Sequence, residues 1–282
     1  MDAILLCMKK SGILFFRRIK FPTTNVVRFH TKHNFLGLLG TRYDHFDNIL
    51  IMAHGGKRGI LTSSHYRDEK YAIYIDENDA EAFKNDFVFA VSCLTANQFG
   101  ARCVEKGTIA YLGYQVLIGC LFTAHPNSSS KVPASLVTDI NTLVKHIFIE
   151  ELSVAYEEFL KTPISVKVLK ERFAFGFEKR LSELIDMSVE QIHQQYNIKI
   201  SDRLFHIFAV QMILDVMSKL NDILPKLVCL GDENYISSSY IKYRKAAGYS
   251  KEEIAEELES NPYFKEIKHS EYKQYLRDLV TC

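Results

Sequence analysis

Apolar residues follow two different spacings along this chain. Up to about residue 125 they come in short runs separated by turn-forming residues. The clearest run extends from Asn48 to His54 and is closed by Gly55 and Gly56. Tyr71 to Ile75 follows, bounded by Asp76, Glu77, Asn78 and Asp79, and then come Phe87 to Val91 and Thr108 to Tyr114. Ala3 to Cys7 and Gly12 to Phe16 are weaker strand candidates. Runs that are apolar on both faces suit central strands of a parallel sheet with helices on each side. Residues 79–85 and 95–106 are the candidate covering helices.

Beyond a polar loop at Pro126 to Ser130 the spacing becomes helical. Leu136, Ile140, Leu143, Val144, Ile147 and Phe148 recur at three and four residues, which predicts a helix over Ala134 to Phe159 ended by Pro163. Residues 165–186 continue the helical pattern, with Gly176 as a soft interruption. Asp202 to Leu224 reads as a buried helix. Ser250 and Glu253 form a capping-box signature at the head of a helix over Glu252 to Leu258. The expected fold class is α/β: a mostly parallel sheet flanked by helices in residues 1–125, followed by an all-helical region in 126–282.

Composition narrows the function. The 282 residues are 47% apolar and 24% charged, enough for a full core without staples. A net charge of +1 argues against a general grip on nucleic acid, which needs a concentrated basic surface. Arg17, Arg18 and Lys20 form the longest basic cluster and read as a solvated face. Ala3 to Cys7 is too short for a signal segment or a membrane span, so no membrane partner is expected. The six cysteines form no Cys-x-x-Cys pair, and the expectation is a reducing, cytoplasmic setting. His30, His33 and His45 have no metal-ligand spacing with carboxylates, and neither metal nor organic cofactor is expected. Gly113 and Gly119 are too isolated to cradle a phosphate.

Two residues remain that could carry chemistry. Cys93 follows the run Phe87 to Val91, and His54 ends the run that begins at Asn48. Neighbouring strands of a parallel sheet present their carboxyl ends side by side, where open α/β sheets hold their sites. An imidazole there can take the thiol proton or, once charged, stabilise the thiolate. Gly55 leaves its N–H free to approach a carbonyl oxygen, and with the Cys93 N–H it could form an oxyanion hole. Either glycine would also permit a tight turn with positive φ. Cys103 falls on a covering helix.

At these residues the sequence resembles the caspase-like cysteine peptidases, most nearly the bacterial CHAT branch. The matching segments are Ile49 to Gly56, Phe87 to Cys93 and Gly107 to Tyr114, within roughly residues 45–120. The resemblance implies that His54 is the general base, Cys93 the nucleophile, and Gly55 with Cys93 the oxyanion donors. It implies a protein substrate, cleaved within a regulated or antiviral-defence module, and a regulatory protein partner docking on the helical region. Relatives that cleave after basic residues often have an acidic residue two places before the nucleophile; here that residue is Val91. Asp76, Glu77, Asp79 and Asp86 are other acidic candidates, His65 is a pocket candidate, and Lys57 to Asp68 is the candidate pocket loop.

Two alternatives stand beside the peptidase. One is a catalytically inactive caspase-like interaction scaffold, since Cys93 is followed by Leu94 to Gly100 rather than by a Ser-Gly or Glu-Gly pair. The other is a nucleotide-binding α/β protein, for which Lys10, Ser11 and Gly12 make a poor glycine-rich turn.

Overall fold

The computed structural model describes residues 4–7, 25–27, 48–61, 73–123 and 132–282. It is an α/β structure built on a mixed, mostly parallel sheet. The sheet strands are β1 (Ile4–Cys7), β2 (Asn25–Val27), β3 (Asn48–Met52), β7 (Phe87–Val91), β8 (Ala110–Tyr114) and β9 (Leu227–Gly231), in the order β2-β1-β3-β7-β8-β9. All neighbours run parallel except β8 and β9, which are antiparallel. The expected strand at Gly12 to Phe16, the basic cluster at Arg17 to Lys20 and the loop at Pro126 to Ser130 lie outside the described residues.

Both faces of the central strands are buried, as their unbroken apolar runs require. On one face Ile49, Ile51, Ala53, Val88, Ala90 and Tyr111 pack against Phe99 and Cys103 of α1 (Gln98–Glu105) and against Ala80 and Phe83 of a 3-10 helix, Glu77–Phe83. On the other, Leu50, Met52, Phe87, Phe89, Val91, Cys93, Leu112 and Tyr114 join a core that continues through the helices. These are α2 (Ala134–Lys161), α3 (Val166–Asp186), α4 (Val189–Tyr196), α5 (Val210–Ile223), α6 (Ser239–Ala246), α7 (Lys251–Ser260), α8 (Pro262–Glu266) and α9 (Ser270–Thr281).

Helix ends fall where local chemistry puts them. Pro163 forces Thr162 into an extended conformation and α2 stops at Lys161. Ser165 caps α3 by accepting from Val168 N–H. The expected capping box opens α7, with Ser250 and Glu253 satisfying each other's backbone N–H groups.

The structure corrects several expectations. The region after residue 126 is not all-helical, because β9 crosses back to form the edge of the sheet. Four apolar residues, Leu227 to Leu230, give no periodicity to tell strand from helix, and only the partner β8 decides the matter. The run from Asn48 to His54 is not one strand: β3 stops at Met52, the chain bends at Ala53, and β4 (His54–Gly56) starts a second sheet. There it pairs antiparallel with β5 (Gly59–Leu61), which pairs with β6 (Ile73–Asp76). The strand expected near Tyr71 to Ile75 therefore belongs to this small sheet and not to the parallel one. Gly176 does not interrupt α3, whereas the helix expected over Asp202 to Leu224 includes a π-helical turn at Phe205–Ala209.

Candidate functional site

Register brings together the strands that lead to the two candidate residues. β3 and β7 pair from Asn48 and Phe87 to Met52 and Val91. One step further, Ser92 donates its hydroxyl to the carbonyl of Ala53 at 2.7 Å, a bond that spans 39 residues of chain. Beyond it the chain leaves β3: it bends at Ala53, and β4 takes His54 into the second sheet, where it pairs with Leu61. Leu50, Met52, Val91 and Cys93 share one face of the sheet, and His54 stands half-buried at the start of β4.

Gly55 is required here for closeness, not for turning. Neither Gly55 nor Gly56 has positive φ, which corrects the turn expected of them. A Cβ added to Gly55 would lie 2.3 Å from the Cys93 carbonyl oxygen and 3.0 Å from the Cys93 nitrogen. Only a glycine lets the two backbones approach this far. The two residues whose N–H groups the resemblance assigns to an oxyanion hole are thus backbone neighbours.

The chain reverses immediately after Cys93. Leu94 adopts a left-handed conformation, φ 62°, which is uncommon for a bulky side chain. The following residues run back along the end of β8: Leu94 N–H donates to Val116 O and Ala96 N–H to Tyr114 O, each at 3.1 Å. Asn97 clamps the turn from its side chain, donating to Leu94 O at 2.9 Å and Gln115 O at 3.1 Å. Residues 115–118 form a strap over the thiol, and the Ile118 N–H donates to Cys93 Sγ at 3.4 Å. Cys93 is 9% exposed as a result.

The electrostatics suit a neutral base. Half-burial holds the His54 imidazole below its ordinary pKa of 6.5, and its buried Nε2 has no hydrogen-bond partner among the described residues. Two other thiols are held protonated. Burial pushes Cys103 up, and burial, followed by the Glu233 and Asp232 charges, pushes Cys229 up to about 12. Cys103 lies on the opposite face of the sheet from Cys93, among the residues packed on α1.

The other pocket candidates do not join this pair. Asp86 is buried at the start of β7, whereas Cys93 follows its end, roughly 20 Å along the strand at 3.3 Å per residue. Asp76 and Asp79 serve as a capping box for the 3-10 helix Glu77–Phe83, and Glu77 pairs with Arg58 at 3.5 Å. His65 and residues 62–68 of the candidate pocket loop lie outside the described residues. Two surface grooves, of about 300 and 430 Å³, open on α3 and α5, and neither is lined by His54 or Cys93. Among the described residues no helix is long and apolar enough to cross a membrane.

Sequence reasoning missed Ser92 and Asn97 as supports of the site, and missed the strap altogether. Ser92 had one signal, a hydroxyl in an otherwise apolar strand end. The strap had none, because its contacts are made by backbone groups. Compared with known proteins, the chain matches no family model and no curated protein.

Proposed function

We propose that the chain is a caspase-like cysteine endopeptidase in which Cys93 is the nucleophile and His54 the base. The observation that carries this reading is the Ser92–Ala53 hydrogen bond at the end of the β3–β7 register, one residue before both Cys93 and His54, together with the close approach of Gly55 to the Cys93 backbone. His54 takes the proton of the Cys93 thiol. The sulfur adds to the substrate carbonyl carbon, and the N–H groups of Gly55 and Cys93 receive the resulting oxyanion. The C–N bond breaks as His54 returns the proton to the departing amine, leaving a thioester. Water, deprotonated by His54, then cleaves the C–S bond and the thiol re-forms. The strained Leu94 fits a nucleophile held on a sharp turn, since such strain collects at functional sites.

The same reading places the protein in the cytoplasm, in a regulated or defence-type module, with a protein partner on the helical region. In support of a docking surface there, the groove between α3 and α5 contains Met217 and Phe175, the latter 67% exposed.

The low exposure of Cys93 favours a second reading, an inactive scaffold that keeps the sheet and has lost access to the thiol. A peptidyl electrophile read by mass spectrometry separates the two. The peptidase labels at Cys93 at neutral pH and loses that labelling in His54→Ala. Labelling of Cys93 no faster than that of Cys229 or Cys282 leaves only the scaffold.

A further inference from the structure

One polar group beside Cys93 has no place in the reaction above. Tyr114 ends β8, the strand next to β7 on the side away from β3. The β7–β8 register runs to Ala90 and Gly113, so Tyr114 stands level with Val91, two residues short of Cys93. Tyr114 and Cys93 belong to the same face of the sheet. Such a diagonal pair has Cα atoms about 7–8 Å apart, within reach of a tyrosine side chain.

The Tyr114 ring is fully buried, and its hydroxyl has no hydrogen-bond partner among the described residues. A buried hydroxyl without a partner is costly, and retaining one calls for an explanation. Burial, followed by the charge of Cys93, pushes the Tyr114 pKa up, so the group remains a neutral O–H donor and senses charge on the sulfur. Other titratable groups of this region are placed differently: His54 half-buried on β4 in the second sheet, Lys57 exposed in the β4–β5 turn, and Cys103 on the opposite face. Lys219 donates to Thr123 O at 3.3 Å and is paired with Asp215 at 2.6 Å.

We infer that Tyr114 is a positioning residue whose buried hydroxyl donates a hydrogen bond to the Cys93 thiolate, opposite the Ile118 N–H, and so stabilises the attacking form. The inference rests on the reading of Cys93 as nucleophile. No proton leaves Tyr114: the thiol proton goes to His54, and the hydroxyl, which makes no hydrogen bond to the neutral thiol, is drawn together with the sulfur once charge appears there. The strap provides one donor to the sulfur through its backbone, and β8 provides the second through a side chain.

Site-resolved alkylation with iodoacetamide across pH tests this, with Tyr114→Phe beside the unmodified chain. Loss of a hydrogen bond to a charged sulfur should move the Cys93 alkylation midpoint up by about one pH unit. Labelling near neutral pH should then slow by about tenfold. The melting temperature should not fall, because the deleted hydroxyl leaves no partner stranded. Incorporation of 3-fluorotyrosine, a stronger donor, should lower the midpoint in the unmodified chain and leave Tyr114→Phe unmoved. Superimposable profiles for the two chains overturn the role of Tyr114 and leave the peptidase reading standing. If Cys93 in the unmodified chain reacts no faster than the exposed Cys120 and Cys282, the nucleophile and its proposed support fall together.

Discussion

Ser92 and Ala53 are joined by a 2.7 Å hydrogen bond that continues the β3–β7 register past its last backbone pair. The bond is fully buried and lies one residue before both His54 and Cys93. Ser92→Ala removes it and leaves a buried carbonyl short of a donor, at a cost of about 1 kcal/mol in denaturant unfolding. The same change frees the bend at Ala53. Covalent labelling of Cys93 should slow several-fold at saturating probe while the half-saturating probe concentration stays the same. Unchanged labelling would mean that the bond supports the fold alone.

Two glycines in tight places should respond oppositely to alanine. At Gly55 the added methyl meets the Cys93 backbone, which cannot move without moving the proposed nucleophile. Gly55→Ala should cost about 1–3 kcal/mol in urea unfolding and abolish labelling of Cys93. At Gly176 the added methyl meets the Glu151 carboxylate, the end of a flexible side chain. That carboxylate can swing away, and alanine is favoured over glycine inside a helix by about 1 kcal/mol. Gly176→Ala should leave stability within about 1 kcal/mol of the starting chain, with labelling intact.

The lowered pKa of His54 has consequences for both rate and stability. Because desolvation disfavours the imidazolium, the proposed base stays neutral to a lower pH than the ordinary value of 6.5 would give. The acid limb of Cys93 labelling should therefore have its midpoint below pH 6.5. For stability, the unfolded chain takes up a proton on this histidine as pH falls through 6.5, while the folded chain resists it. Protonation therefore favours unfolding, and stability should rise with pH through the window that ends near 6.5. Melting temperatures between pH 5 and 7.5 should show this slope, and His54→Gln should flatten it.

The sheet and the helices should unfold together. β9 comes from the second half of the chain and closes the β8 edge, and one apolar core runs from Leu50 on β3 to Val280 on α9. Asn48 at the start of β3 is bonded to Tyr235 and Ser239, at 3.1 and 3.3 Å. A chain ending at residue 125 would expose the β8 edge and a whole face of the sheet, so it should be insoluble or molten. The full chain should show one cooperative transition by both circular dichroism and tyrosine fluorescence. Two separated transitions would contradict the single core.

The sequence by itself determined the elements whose patterns are local. Phe87 to Val91 could be assigned from five consecutive apolar residues, α2 and α3 from their three- and four-residue spacing, and α7 from Ser250 and Glu253. His54 and Cys93 stood out as candidates for a related reason: each stands where an apolar run gives way to other residues. Only the tertiary structure decided what depends on distant partners. β9 became a strand because β8 offered it an edge, and β4 left the parallel sheet because β5 and β6 offered it another. Gly55 is close to Cys93, not turned, and the thiol is covered by a strap whose hydrogen bonds come from main-chain groups. Backbone N–H and C=O groups are the same in every residue except proline, so no residue type announces which of them will meet.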